Sequence, residues 1–379
     1  MKKYSNIKIA HISTVHIRTD TRIFLKELQT LSQEKNYELY FIVADGLGDD
    51  KKNNINIIDI AKKRQTSRFI RIFLTSFTMF NRVLKLKPKL VHFHDPELIP
   101  IAILLKFWGI KIIYDAHEHL YKQILGKRYI PRIFRGLIAS LCFIIERFGI
   151  IFFDAVIGAN PDIQKSFKSK KVHLLRNLPF KSEFHSIDTT NYLQRPNKIC
   201  FIGNITKIRG IDEVLDSISF FKKNEVSFDL AGRFEPKEYG LELSENDGWK
   251  KTNFYEWVNR HEMARILSES RAGIVTYLPY PNHIDAQPNK LFEYMSAGIP
   301  VIASDFPMWR NLIEESNCGI LVDPSNSKEI FEAIKWILEN PKESKEMGIQ
   351  GKIAIEKKYN WDIEKMNLLK IYKEVLSIK

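Results

Sequence analysis

The residues that could do chemistry gather in five short stretches: HISTVHIRTDTRIF (11–24), HFHDPELIP (92–100), YDAHEHL (114–120), GNITKIRG (203–210) and DAQPNKLFEYMSAGIPVIASD (285–305). Between them they hold guanidinium groups, carboxylates and imidazoles. A guanidinium binds phosphate through two parallel hydrogen bonds, a carboxylate accepts two charge-assisted bonds from neighbouring hydroxyls, and a neutral imidazole donates to or accepts from a substrate near pH 7. In HFHDPE, strand alternation puts His92 and His94 on one face and Phe93 on the other. That spacing alone would allow a metal site; positioning of the strand-end loop is the preferred reading. Neither GxGxxG nor GxxxxGK[ST] is present, which argues against a dinucleotide site or a P-loop. There is no DxD either, so a metal-bridged nucleotide-sugar site is disfavoured.

Each stretch follows an apolar, β-branched run. In the first half these runs are 7–12, 38–44, 55–60, 90–94, 111–117, 154–159 and 171–179, with helical patterns at 22–34, 66–86, 97–108 and 131–149 between them. Continuous apolar runs alternating with amphipathic helices predict a parallel, doubly wound sheet. A polar stretch at 181–198 breaks the rhythm and reads as the connection between domains. The rhythm then restarts, with strands at 198–203, 227–232, 252–254, 272–278, 300–304 and 319–322, and helices near 210–223, 261–269, 289–297 and from 327 onward. Ligands bind beyond the carboxyl ends of such strands, where the five stretches fall.

The length of 379 residues is enough for two domains. Hydrophobic residues at 44% and charged residues at 27% are the balance of a globular α/β chain. Cys142, Cys200 and Cys318 form neither a disulfide framework nor a CxxC pair and read as buried thiols in a reducing compartment. The first apolar stretch is interrupted by Lys8 and His11, so no signal peptide is expected; the run 137–145 is too short to span a bilayer. The net charge of +13 is uneven: residues 1–185 hold 32 basic and 16 acidic residues, the remainder 26 and 29. Nine basic residues and no acid lie between Asp59 and Asp95 (Lys62, Lys63, Arg64, Arg68, Arg71, Arg82, Lys85, Lys87, Lys89), and five between Glu118 and Glu146 (Lys122, Lys127, Arg128, Arg132, Arg135). Interleaved with Phe, Ile, Leu and Tyr, they suit an anionic membrane surface; a plain solvated face is the alternative. Nucleic acid is not expected, because no nucleic-acid motif accompanies the charge.

Taken together and in this order, the stretches resemble family 4 of the retaining glycosyltransferases, of the GT-B fold, and within it the bacterial surface-polysaccharide type. The resemblance implies two Rossmann-like domains facing each other across a cleft: an acceptor domain over 1–185, a linker over 186–197, a nucleotide-sugar domain over 198–358, and a C-terminal helix, 359–379, packing back toward the first domain. It implies that Glu293 holds the ribose hydroxyls and that Asp285, eight residues earlier and standing where the family has glutamate, lies near the donor sugar as a catalytic group. Arg209 would contact the diphosphate in place of the family's lysine. Asn204, after Gly203, replaces the family's arginine, with Lys207 or Lys290 compensating. Asn289, Lys290 and Gln287 would supply donors at a helix start where Pro288 lacks an N–H, and Trp257 and Val258 would lie nearest the base. His117 matches the family's histidine beside the donor sugar, as the other catalytic group. Glu118, His94, Asp95, Arg18, Asp20 and Arg22 would line the acceptor side or the cleft, although the family's glycine-rich loop is missing around Arg18.

The function so implied is retaining transfer of a sugar from a UDP- or GDP-linked donor to an acceptor hydroxyl, through front-face attack in which the leaving phosphate takes the proton. No cofactor or metal is expected. The expected acceptor is a lipid-linked saccharide of capsule or O-antigen synthesis, and the expected location is cytoplasmic, peripheral on the inner membrane face. A nucleotide-sugar 2-epimerase and a silent nucleotide-sugar-binding protein are the alternatives.

Overall fold

The computed structural model describes residues 6–61, 71–126, 130–167, 169–182, 184 and 187–378. Lys62, Lys63, Arg64, Arg68, Lys127 and Arg128 of the basic stretches lie outside them, as does the side chain of Arg71. The chain forms two compact units, Met1–Asn177 with Ile363–Lys379, and Leu178–Asp362.

In the first unit the apolar runs become β1 (Ile7–Ile12), β2 (Tyr37–Val43), β4 (Ile55–Asp59), β5 (Leu90–Phe93), β6 (Lys111–Ala116), β7 (Ala155–Gly158) and β8 (Val172–Leu174). They join with β3 (Asp50–Lys52) in one sheet of order β3-β4-β2-β1-β5-β6-β7-β8, parallel except where β3 pairs with β4. The polar β3 has no apolar signature. Asn53 and Asn54, both left-handed at φ 51° and 63°, turn it into β4. Chain order reverses between β1 and β5, so the crevice of this unit opens beyond their carboxyl ends.

Phe93 faces the core with Tyr114 and Phe153, while His92 and His94 share the opposite face, their rings 4.6 Å apart. The helix after β1 begins as a π-helix, Thr21–Leu28, and continues as Gln29–Leu31. Asp20 caps it by accepting from the N–H groups of Arg22 and Ile23, and Arg22, Lys26 and Glu27 all point inward. Ile363–Lys379 belongs to this unit: Glu364 accepts from Arg176, and the Tyr372 hydroxyl lies 2.8 Å from both His11 and His92.

The second unit is a parallel sheet of order β11-β10-β9-β12-β13-β14, built from β9 (Lys198–Ile202), β10 (Ser227–Ala231), β11 (Thr252–Tyr255), β12 (Ala272–Val275), β13 (Val301–Ser304) and β14 (Gly319–Val322). Its order reverses between β9 and β12. Gly273 on β12 is needed for packing, because a Cβ there would lie 2.2 Å from the ring of Tyr294. That ring seats the helix Asn289–Ser296 against the sheet, and its hydroxyl lies 3.1 Å from the Ile202 amide. The segment read as a linker over 186–197 packs into this unit where it is described. Tyr192 is buried and donates to the Arg271 carbonyl at 2.6 Å, and Arg195 donates to the Ser270 carbonyl at 2.8 Å. The compact units divide at Asn177/Leu178, ahead of the expected boundary.

Glu146 is buried on the helix Arg132–Phe152 and accepts from the Tyr114 hydroxyl at 2.9 Å; burial lifts its carboxyl to about 7. The folded state therefore holds a proton that the unfolded chain loses near 4.5, so this group's effect on stability is neutral in acid and turns unfavourable as pH rises toward 7. Glu146→Gln should abolish that slope, stabilising the first unit by on the order of 3 kcal/mol at about pH 8 and leaving it unchanged at about pH 4. Melting curves at the two pH values check this, and equal shifts at both would contradict it.

Candidate functional site

The second unit's site forms where its strand order reverses. After β9 the chain turns at Gly203, whose φ of 144° lies in glycine territory, and Arg209 folds back so that its Nη1 donates to the Asn204 carbonyl at 2.7 Å. The guanidinium lies 5.2 Å from the ring centre of Tyr277, beyond β12. A Cβ on Gly203 would meet Lys290 Cε and Nζ at 2.2 Å and Arg209 Nη1 at 3.4 Å, so both cations lie directly over the glycine backbone. Gly210, at φ 70°, opens the next helix with its Cα against the Thr276 carbonyl: a Cβ would sit 2.0 Å from that oxygen. These two glycines bring backbone, Arg209 and Lys290 into one small volume.

Lys290 stands in the first turn of Asn289–Ser296, whose cap residue is Pro288 and which has no side-chain cap. Its ammonium has no hydrogen-bond partner among the described residues. Burial first, then the like charges of Arg209 and Arg260, hold its pKa below the ordinary lysine value against the pull of Glu293. Glu293, one turn on, is half-buried, with Arg260 Nη1 3.3 Å from its Oε1. Arg260 thus meets Glu293, while Lys290 and Arg209 lie together over the Gly203 turn at the start of the same helix, leaving an excess of positive charge that an anion would neutralise.

Other expected donor residues are placed less centrally. Asn204 contributes its carbonyl to Arg209. Lys207 is exposed and pairs with Glu242 at 3.5 Å. Asn289 and Trp257 are exposed, and Val258 packs against the core edge. Asp285 caps the short helix Pro281–Ile284, and the backbone after it is pinned by Trp309 Nε1 donating to the Ala286 carbonyl at 2.6 Å. Arg260 and Tyr277 were not singled out in the sequence, because neither lies in one of the five stretches.

In the first unit, Asp115 at the end of β6 is fully buried. It accepts two bonds from Arg22, both at 2.8 Å, and lies 2.9 Å from His117 Nε2 and 3.2 Å from His94 Nδ1. Burial alone would raise its pKa; Arg22, then His117 and the hydrogen bonds, outweigh it and keep the carboxylate ionised. His117 is therefore oriented through Nε2, and its Nδ1 has no hydrogen-bond partner among the described residues. His16, missed in the sequence, lies 5.1 Å from the His117 ring, with Nδ1 2.9 Å from Asp20 and Nε2 3.8 Å from Asp95.

The acceptor-side residues fall into two groups. Arg22, His94 and Asp95 are interior; Asp95 accepts from Ser13 Oγ at 2.8 Å and the Thr14 amide at 2.6 Å, fixing the loop after β1. Arg18 clamps that loop onto Asp45 with bonds of 2.9 and 2.7 Å, while Asp20 caps the π-helix. Glu118 is exposed and accepts from Gln123 at 2.9 Å.

Comparison with known proteins fits this architecture. Residues 186–353 match the model of the family "Glycosyl transferases group 1". Over 85 residues the chain is 28% identical to a phosphatidyl-myo-inositol mannosyltransferase of Mycobacterium leprae; the match spans 22% of this chain and 22% of that relative. Solved structures agree over almost the whole chain. Sucrose-phosphate synthase of Thermosynechococcus elongatus superposes with a TM-score of 0.81 at 14% identity, covering 99% of this chain and all of that one. Anabaena HepE, solved with UDP and glucose, gives 0.72 at 11% identity, covering 97% of this chain and all of its own.

Gly203→Ala should both strain the turn, whose φ of 144° suits glycine, and push the Lys290 ammonium out of it. We expect a several-fold weaker affinity for inorganic pyrophosphate in calorimetric titration; unchanged affinity would contradict this placement of the cations. In its two sheets the chain shares the GT-B fold of these solved structures, and its residues 186–353 are similar to the group 1 glycosyl transferases.

Proposed function

We propose that the protein is a retaining glycosyltransferase that moves a sugar from a UDP- or GDP-linked donor to an acceptor hydroxyl without a catalytic metal. The observation that carries this reading is the Gly203–Arg209–Lys290–Glu293 constellation at the β9/β12 switch point. As the glycosidic bond breaks, charge grows on the diphosphate, and cations already held in place stabilise it without reorganising. Arg209 and Lys290 are assigned to the diphosphate, and Glu293, freed from Arg260, to the ribose hydroxyls. His117, oriented by Asp115, is assigned a hydrogen bond to a substrate hydroxyl, and Asp285 a contact with the donor sugar. The UDP bound to Anabaena HepE supports a uridine donor, and the phosphatidyl-inositol acceptor in the name of the mycobacterial relative supports a lipid-linked one.

The first unit's surface supports that acceptor. No helix among the described residues is long and apolar enough to cross a membrane. Yet the helix Arg132–Phe152 exposes Ile133 (81%), Leu137 (71%) and Ile151 (68%), and Phe107 and Trp108 stand exposed on a neighbouring element. Apolar residues facing water beside Arg132 and Arg135 suit insertion into an anionic bilayer surface, where a lipid-linked saccharide of cell-surface polysaccharide synthesis would be met.

Thermal-shift screening against UDP, GDP, ADP, CMP and dTDP tests the donor site. One nucleoside diphosphate should raise the melting temperature by several degrees, and the rise should vanish in Glu293→Ala and Arg209→Ala. No rise with any of them would contradict the assignment. For the surface, the triple variant Ile133→Ser, Leu137→Ser, Ile151→Ser should lose most flotation with phosphatidylglycerol vesicles; undiminished flotation would count against membrane docking.

A further inference from the structure

Beneath the first unit's crevice lies a second cluster that the proposed chemistry does not use. His11 of β1, His92 of β5, His94 just after β5 and Glu27 of the π-helix are all fully buried, and one nitrogen or oxygen of each lies within 4.8 Å of the others. His11 and His92 are direct neighbours in the β1–β5 register. His11 Nδ1 is 3.0 Å from His94 Nε2, and Glu27 Oε2 lies 3.8 Å from the first and 4.0 Å from the second. His92 Nδ1 is also 4.0 Å from that oxygen. Ligand atoms in a tetrahedral zinc site stand roughly 3.3 Å apart, given metal–ligand bonds of about 2 Å, so the pairs at 3.8 and 4.0 Å would close by about half an ångström or more, and the widest of the set, within 4.8 Å, by up to about 1.5 Å, to surround one ion.

Two further features point the same way. The far nitrogen of each central imidazole is already held: His94 Nδ1 by Asp115 at 3.2 Å, and His11 Nε2 by the Tyr372 hydroxyl at 2.8 Å. Such outer partners fix the ring and turn the near nitrogen's lone pair toward a metal. Polar atoms are also left over in the dry interior, since both Glu27 oxygens are buried without a hydrogen-bond partner. Arg22 Nε, 3.1 Å from Glu27 Oε1, is already committed to Asp115. Leaving buried carboxyl oxygens without hydrogen-bond partners is costly, and coordination would supply partners.

We propose that His11, Glu27 and His94, with His92 as fourth ligand, form a buried structural site for a divalent transition metal of the zinc class. Imidazole and carboxylate donors favour zinc, cobalt or copper over magnesium or calcium. The ion would tie β1 and β5 to the π-helix and, through Tyr372, to the C-terminal segment, and it would be acquired as the unit folds.

The test uses untagged full-length protein. Metal content after purification without chelator is measured by mass spectrometry; the chain is then refolded with Co2+ and its visible spectrum recorded. We expect about one equivalent of zinc-class metal per chain, the intense absorption of tetrahedral Co2+, and loss of both in Glu27→Gln and His11→Gln. Refolded wild-type protein that takes up neither Zn2+ nor Co2+ would overturn the proposal whether or not the variants fold. So would undiminished binding in a folded Glu27→Gln, His11→Gln double variant, which would place the metal elsewhere.

Discussion

The first unit depends on one buried charge pair. Asp115 is an anion in the interior because the Arg22 guanidinium meets both of its oxygens, and Arg22 sits there because the π-helix turns its side chain inward. The remaining guanidinium nitrogen donates to the Leu175 carbonyl at 3.0 Å, so the pair also ties β1's helix to the chain leaving β8. Two imidazoles, His94 and His117, take their orientation from the same carboxylate. Removing one member of such a pair strands the other's charge in the interior, typically at a cost of 3–5 kcal/mol.

The second unit solves a different problem. Its cations are brought together rather than neutralised. Gly203 and Gly210 let the backbone approach Lys290, Arg209 and Thr276 closely, and the exposed start of Asn289–Ser296 adds a helix dipole of the same sign. Burial first, and then the like charges of Arg209 and Arg260, hold the Lys290 pKa below the ordinary lysine value. A bound anion would offset both the burial and the like charges, which is the physical basis of the proposal that a diphosphate binds there.

The frame of this fold was legible because buried parallel strands leave β-branched runs: β1 and β14 coincide with IKIAHI and GILV, and the other strands start within two residues of the runs that announced them. Elements without that signature escaped: β3 is all charged, and the helix Pro307–Ser316 is announced chiefly by proline at its first position. The cluster of Gly203, Arg209, Lys290 and Glu293 was legible as a grouping, since strand-end glycines and a helix-start lysine carry local signals. Asp115 and His16 were not: one reads as an interruption in an apolar strand, the other as one polar residue among many. Their roles arise from partners far along the chain, Arg22 lying 93 residues from Asp115 and Asp95 79 from His16. Likewise His11 reads only as a break in an apolar stretch until the register sets it beside His92.

The account's central claim is that the cation cluster serves glycosyl transfer. It is tested most directly by incubating the protein with a panel of UDP- and GDP-sugars, with and without membrane lipid extract, and following nucleoside diphosphate release and the fate of the sugar. The account predicts that one donor is consumed, that release depends on the extract, and that the sugar appears on a lipid product with its anomeric configuration kept. Tight nucleotide binding with no donor consumed under any condition, or an altered nucleotide sugar formed without acceptor, would contradict it.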